Sequence, residues 1–280
     1  MNYPINLVVD DDGTQYIVDL NLPGVWRQKG DQRQLLIQGS GRLRQPLNRV
    51  RCIAIGRDDK QTYLLLGDSA TREVYRVDLP ADDQSLPLKL DAAKPLAKGT
   101  IGIAMAIAIG EDGYVYVGDA ETRSVLRIPA AGGKSELVGR ANARAMFFLP
   151  DEKNRLLAVT ANDPALVVVD TSKQTSRMEI DLTNVQTILS GRPFAYPGGL
   201  VLSGDEVLVT DGYDKSVKSI PLSDIQTSLK DNKPLEAKSV VKRFDDSKQG
   251  FRHPVGIAAA KETVFVADPH NKRIVKLPNE

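Results

Sequence analysis

The stretch "GDAETRSVLR", Gly118 to Arg127, decides the reading of this chain, because "GDSATREVYR", Gly67 to Arg76, repeats it one unit earlier. Each follows an apolar run, "YVYV" and "TYLLL" respectively, and each ends on an arginine. Taking the aspartate as an anchor extends the pattern along the chain. "YIVD" places Asp19 in the slot, "VLVTD" Asp211 and "VFVAD" Asp268, while "LLAVTA" places Ala161 there. By subtraction the six anchors lie 49, 51, 42, 50 and 57 residues apart. Six residues after them stand Val25, Val74, Val125, Val167, Val217 and Ile274, all β-branched. Eight residues after them stand Arg27, Arg76, Arg127 and Lys276, with Val169 and Ser219 in the other two units. Self-similarity at a period near fifty residues marks a repeat architecture.

Each unit opens with a short apolar strand and a polar turn before the anchor strand. The turns read "DDDGT", "GRDDKQ", "GEDG", "PDEKNR", "SGDE" and "KE", the Asp- and Gly-rich chemistry of hairpins. A third strand follows the anchor, as in "SVLRI" and "RIVKL". "QLLIQ", "SELVG", "SRMEID" and "AKSVVKRF" supply a fourth in most units. Four short antiparallel strands per unit describe propeller blades, so the expectation is an all-β, six-bladed propeller in one domain. The units fall near 1–47, 48–100, 101–141, 142–193, 194–250 and 251–280. The last stops at its third strand and is expected to be incomplete. Either Met1 to Tyr3 supplies part of the missing strand, or the natural chain extends further upstream, the reading preferred here. "TNVQTILS" and "SDIQTSLK" carry a Thr or Ser three residues before Gln, a capping-box pattern that predicts a short helix at each.

The units resemble the NHL repeat family, whose pattern is a Pro and Gly before an apolar strand that ends in Asp, followed by Asn and a basic residue. His253 to Leu277, "HPVGIAAAKETVFVADPHNKRIVKL", fits best, and Tyr196 to Ile220, "YPGGLVLSGDEVLVTDGYDKSVKSI", is close. The resemblance covers the whole chain and implies a six-bladed propeller. It does not imply one activity, because this fold hosts enzymes, peptide binders and RNA binders.

Bulk properties narrow the function classes. The chain has 280 residues, 41% hydrophobic and 26% charged, with a net charge of +1, so any attraction to an anionic partner is local. A single cysteine, Cys52, excludes an internal disulfide and a cysteine metal cluster. The start, "MNYPINLVVDDDG", has no basic n-region or long apolar core. The sequence therefore carries no signal peptide, though it fits the trimmed soluble part of an exported protein, and the compartment stays open. No apolar run is long enough for membrane insertion.

Five anchor aspartates, Asp19, Asp68, Asp119, Asp211 and Asp268, suit a structural role, accepting backbone N–H groups and pairing with the nearby basic residues or the next blade. In a propeller, loops between blades share one face with the loops between second and third strands. First-to-second turns share the other. The between-blade loops hold Arg42, Arg44, Arg49, Lys98, Arg140, Arg192, Lys248 and Arg252 without an acid, while the first-to-second turns are mainly acidic. The residues entering each first strand, Tyr3, Arg49, Ile103, Ala143, Tyr196 and His253, should ring the channel mouth on the basic face, with Arg51, Phe194 and Phe251 close by. Arginine, aromatic and histidine side chains suit an anionic ligand.

The candidate ligand-binding set is therefore Tyr3, Arg49, Arg51, Arg192, Tyr196, Arg252 and His253. The expected role is non-catalytic recognition or scaffolding. A protein or peptide partner ranks first, a small anion second and single-stranded RNA third, since only 5% of residues are aromatic. The alternative is a metal-dependent, lactonase-like hydrolase or lyase. His253 and His270 are the candidate ligands for a divalent metal, and a two-His, one-acid site would need a carboxylate beside them. No cofactor is otherwise expected, since the chain shows no nucleophile elbow, phosphate loop or dinucleotide fingerprint.

Overall fold

The computed structural model describes residues 1–82, 85–97, 101–173 and 184–278. Hairpin turns and alternating burial produce six antiparallel sheets, arranged in chain order. The first holds β1 (Pro4–Val9), β2 (Gln15–Asp19), β3 (Gly24–Lys29) and β4 (Gln32–Gln38). The second holds β5 (Val50–Arg57), β6 (Thr62–Asp68), β7 (Glu73–Asp78) and the two-residue β8 (Lys94–Pro95). The third runs β9 (Ala104–Ile109), β10 (Tyr114–Asp119), β11 (Ser124–Pro129) and β12 (Glu136–Gly139). The fourth runs β13 (Ala143–Phe148), β14 (Arg155–Thr160), β15 (Leu166–Asp170) and β16 (Val185–Leu189). The fifth holds β17 (Pro197–Ser203), β18 (Glu206–Asp211), β19 (Ser216–Pro221) and β20 (Val241–Phe244). The sixth has three strands, β21 (Ile257–Ala260), β22 (Thr263–Asp268) and β23 (Arg273–Pro278).

The first strands line the axis. β1, β5, β9, β13, β17 and β21 touch one another in that order, and β21 returns to β1. This closed ring is a six-bladed β-propeller. Six hydrophobic clusters hold it together, one at each blade interface. Leu64 and Leu66 meet Tyr16 and Val25 between blades one and two, for example, and Val115 and Val117 meet Leu65 and Val74 between blades two and three. The closing interface has the smallest set of buried residues, with Leu7 and Ile17 against Ala258, Phe265 and Ala267.

The recurring phrase now has a packing explanation. The glycine before each anchor in blades two and three lies against the first strand of the following blade. A Cβ on Gly118 would stand 3.0 Å from the Ala143 Cβ, and one on Gly67 would stand 2.8 Å from the Ala104 Cβ. The β-branched residue six after the anchor is buried in blades one, two, three and five, Val25, Val74, Val125 and Val217. In blade four the register puts Thr160, not Ala161, in the anchor slot, so Leu166 takes that position and Val167 lies one residue on, both buried. Ile274 is only half-buried, because β23 has no fourth strand over it. Met1 packs against the closing cluster, as Ile274 does, but does not add a strand to that sheet.

Two helix expectations divide. Leu222–Asp231 is a helix, α1, which buries Ile225 against blades four and five. It begins one residue before Ser223, after Pro221, and no side chain caps it. "TNVQTILS" instead supplies, over Val185–Leu189, the fourth strand of blade four, β16, and its Thr183 lies outside the described residues. Pairing with β15 and burial of Ile188 and Leu189 override the local capping signal. The segment "SRMEID" also lies outside the described residues. "AKSVVKRF" forms one 3-10 turn and then β20. Among the described residues no helix is long and apolar enough to cross a membrane.

Candidate functional site

Each anchor carboxylate reaches across its own blade to the backbone that enters the first strand. Asp19 accepts from the N–H groups of Asn2 and Tyr3 at 2.6 and 2.9 Å, and Asp68 from those of Asn48 and Arg49 at 3.2 and 3.1 Å. Asp119 accepts from Gly102 and Ile103 at 3.1 and 2.8 Å, and Asp211 from Ala195 and Tyr196 at 2.8 and 2.9 Å. Asp268 accepts from Arg252 and His253 at 3.2 and 2.9 Å. Most also cap the turn that follows, as with Asn21, Ala70 and Glu121. Charge-assisted bonds of this kind hold a carboxylate in its ionised form. Burial acts to raise the Asp119 carboxyl, but donors from Ile103, Thr122, Gly102 and Glu121 outweigh it and leave the pKa below its ordinary 3.8. Asp211 is lowered in the same way, against burial, with Lys218 at 2.9 Å as the leading favourable partner.

Most cations near the anchors do not pair with them. Arg76 turns to Asp58 and Asp78 at 2.6 and 2.7 Å and lies 3.9 Å from the centre of the Tyr63 ring. Arg127 pairs with Glu136 at 2.8 Å, over Tyr114. Eight residues past the anchor, the third strand has run toward the far turns, out of the carboxylate's reach. Arg72, four residues on, bonds Glu121 of the next blade.

The anchors hold the main chain of Tyr3, Arg49, Ile103, Tyr196 and His253 at the start of their strands. At that end of the channel is a cavity of about 210 Å³, lined by Tyr3, Asn6, Arg51, Met105, Arg144, Tyr196 and His253 among others. No acid lines it. The Arg51 and Arg144 side chains are half-buried and make no ion pair or hydrogen bond with any described residue. Asn6 ties blade one to blade two by donating its side-chain amide to the Arg51 carbonyl at 3.3 Å.

Five rings form an arc round the same mouth. His253 and His270 stack at 4.7 Å, Tyr3 lies 5.9 Å from His270, and Tyr196 lies 5.3 Å from His253. Tyr213 extends the arc, 4.9 Å from Tyr196. Burial, then the neighbouring His270, lower the His253 pKa from its ordinary value and so favour the neutral ring.

Tyr3, Arg51, Tyr196 and His253 from the sequence-derived set thus share one cavity. Arg49 lines an adjoining groove with Arg44, Arg51 and Arg144, again without an acid. Arg192 lies in a separate groove between blades four and five, beside Tyr213 and Lys218. Arg252 is exposed and contributes its main-chain N–H to Asp268. Phe194 and Phe251 are core residues, 7% and 2% exposed, because their rings turn between blades rather than toward the mouth. Ala143 is likewise buried, because the register puts it one residue past the mouth position, which Asn142 occupies in blade four. Arg144, Met105 and Tyr213 were not legible as site residues. Arg144 stands one residue inside a strand that reads as ordinary core, and Tyr213 sits in a second-to-third loop.

The two faces differ in how their charges are used. On the face of the first-to-second turns, Arg57 pairs with Asp10 and Asp11, and Lys153 with Glu111, each across a blade interface. On the mouth face, Arg44, Arg49, Arg51 and Arg144 pair with no described residue. That face is not free of acids: the second-to-third loops bring Glu121 and Asp214, which are engaged by Arg72 and by Lys218 and Lys242. Lys98 lies outside the described residues. His253 and His270 come together, but among the described residues no third His, Cys, Asp or Glu joins them in a metal-binding group. Asp268, the carboxylate nearest in sequence, is committed to backbone and to Asn271. The pair therefore does not assemble a two-His, one-acid set.

Together these features define a six-bladed propeller whose channel opens on a mouth of arginines and rings. Among solved structures, the chain is similar to a protein of unknown function from Bacteroides thetaiotaomicron, at 12% identity over 99% of this chain and 69% of that one, TM-score 0.69. It is also similar to the PQQ-bound aldose sugar dehydrogenase of Streptomyces coelicolor, at 14% identity over 99% and 94%, TM-score 0.69. Virginiamycin B lyase from Staphylococcus aureus aligns at 14% identity over 99% and 84%, TM-score 0.61. At these identities the likeness shows the fold alone. No protein-family model matches the chain, and no curated protein matches it.

Proposed function

We propose that this chain is an NHL-like recognition propeller that binds a protein or peptide segment on the channel-mouth face. The observation that carries the reading is the company the exposed apolar side chains keep. Five large hydrophobic residues are exposed among those described, and four of them, Leu43, Ile103, Tyr196 and Tyr213, lie round the mouth. The arginines without partners lie among them. Tyrosine and arginine over an apolar patch is the composition of binding hot spots, where rings supply area and arginine supplies directed hydrogen bonds. A catalytic reading, which enzymes of this fold keep open, lacks a comparable constellation in the described residues.

The test is selection of peptides on the purified protein from a random library, followed by mapping. Tyr213→Ala and Arg49→Glu should each weaken the selected peptides by at least tenfold, about 1.4 kcal/mol. Arg57→Glu and Lys153→Glu, on the other face, should leave binding unchanged. Equal loss from both sets would refute the reading. Tight binding of single-stranded RNA with a steep salt dependence would replace it with a nucleic-acid function. A stoichiometric divalent metal, lost in His253→Ala, would replace it with the hydrolase or lyase reading.

A further inference from the structure

We infer that the cavity between Arg51 and Arg144 is a carboxylate pocket, which takes the acidic group of the bound segment while the ring arc takes the residue beside it. This rests on the mouth-face reading and gives that face a ligand chemistry.

Arg51 of blade two and Arg144 of blade four both line one cavity of about 210 Å³ whose lining holds no acid. Both are half-buried, and neither has a partner among the described residues. Neither guanidinium spends its N–H donors on a described residue, so both are free to bind a ligand that enters this space. They also focus a positive potential into a channel with apolar walls, which draws an anion inward. The guanidinium fork matches a planar carboxylate through parallel N–H bonds, and two forks can hold both oxygens from opposite sides. The wall next to them supplies the complementary surface. Tyr196 and His253 border the cavity, and Tyr213 continues the arc outward. The anchors Asp211 and Asp268 fix the main chain of Tyr196 and His253, so these rings sit on pre-set backbone. Met105, also in the lining, offers a soft contact for an apolar neighbour of the acid.

The pocket fits a C-terminal carboxylate or an Asp or Glu side chain, and the experiment separates these sources. The probes are N-acetyl-Gly-Tyr as the free acid, the same compound as its C-terminal amide, N-acetyl-Asp amide, and inorganic phosphate. Titration is followed by calorimetry and by the ring-proton shifts of His253. The free acid or the Asp amide should bind at least tenfold tighter than the Gly-Tyr amide, about 1.4 kcal/mol. The stronger of the two identifies the source. Arg51→Gln and Arg144→Gln should each remove the preference for the acid. Arg144→Lys keeps the charge without the fork and should restore only part of it. Urea melts of each variant verify that it is folded, and Arg57→Gln should bind as the parent does.

Equal binding of acid and amide overturns the carboxylate pocket. So does phosphate binding tighter than either carboxylate, or no carboxylate binding at millimolar concentration. If library peptides still depend on Tyr213 while Arg51→Gln and Arg144→Gln leave them unaffected, the mouth-face reading stands and the pocket alone fails.

Discussion

Replacing Asp119 by Asn tests the scaffold at one atom. The carboxylate is 1% exposed and takes four donors. Ile103 N–H and Glu121 N–H reach Oδ1 at 2.8 and 3.0 Å, and Gly102 N–H and the Thr122 hydroxyl reach Oδ2 at 3.1 and 2.9 Å. Asparagine can keep its oxygen on the first pair. Its NH₂ then faces the other two. The Thr122 hydroxyl can rotate to accept, but the buried Gly102 N–H cannot. One stranded donor costs about 1–3 kcal/mol, and turning two charge-assisted bonds into neutral ones costs about 1 kcal/mol more. The expected loss is therefore about 2–4 kcal/mol. The single tryptophan, Trp26, provides the signal for urea unfolding. The difference should also depend on pH. Because the folded pKa of Asp119 is lowered below 3.8, its stabilisation is present above the unfolded value and disappears as pH falls through the folded one. Parent and Asp119→Asn should converge below about pH 4. A loss under about 0.5 kcal/mol at pH 7, or a gap that widens in acid, would refute the argument that the anchors bind as carboxylates.

The same repeat logic separates two truncations: Val125→Ala, in a closed four-stranded blade, should cost about 1–3 kcal/mol, while Ile274→Ala, under the uncovered edge of blade six, should cost less despite removing more carbon. A urea series on both checks this, and an equal or larger loss at Ile274 would mean that its half-burial is not what sets its contribution. The Cys52 thiol, wholly buried between blades two and three, has its pKa pushed up to about 12 by burial. At pH 8 its thiolate fraction is about 10⁻⁴, so an aromatic disulfide reagent should label the native protein far more slowly than the urea-unfolded chain. Rapid native labelling would show that this interface opens.

The fold was legible because it is written six times. One aspartate, one β-branched residue and one turn composition recur in register, and together they outweigh any single local signal. A local signal standing alone succeeds once, at "SDIQTSLK" in α1, and misleads once. "TNVQTILS" has a helix cap and becomes a strand, because β15 offers a hydrogen-bonding edge and a hydrophobic interface at that point of the ring. The site was legible only in part, for the opposite physical reason: a binding surface consists of departures from the repeat. Tyr3, Arg49, Tyr196 and His253 could be placed because they precede a first strand in a fixed slot. Arg144 and Met105 could not, because their positions alternate between channel and interface, and the choice depends on the bulge that shifts β13 and β9 near their starts. The anchors join the two cases. In blades one, two, three, five and six, the aspartate that reads as scaffold holds the N–H of the very residue that reads as site. In blade four the register places Thr160, not the expected Ala161, in that slot, because Ala143 pairs with Thr160 as Val50 pairs with Asp68 and Pro197 with Asp211. The mouth position is then Asn142, not Ala143, and the Thr160 hydroxyl donates within its own turn to the Asn162 and Pro164 carbonyls. Blade four contributes Arg144, in the same register position as Arg51 and Met105, where the pairing of β13 with β14 does the positioning. Conserving the geometry of the repeat and varying the side chain it displays lets one scaffold carry a specific mouth.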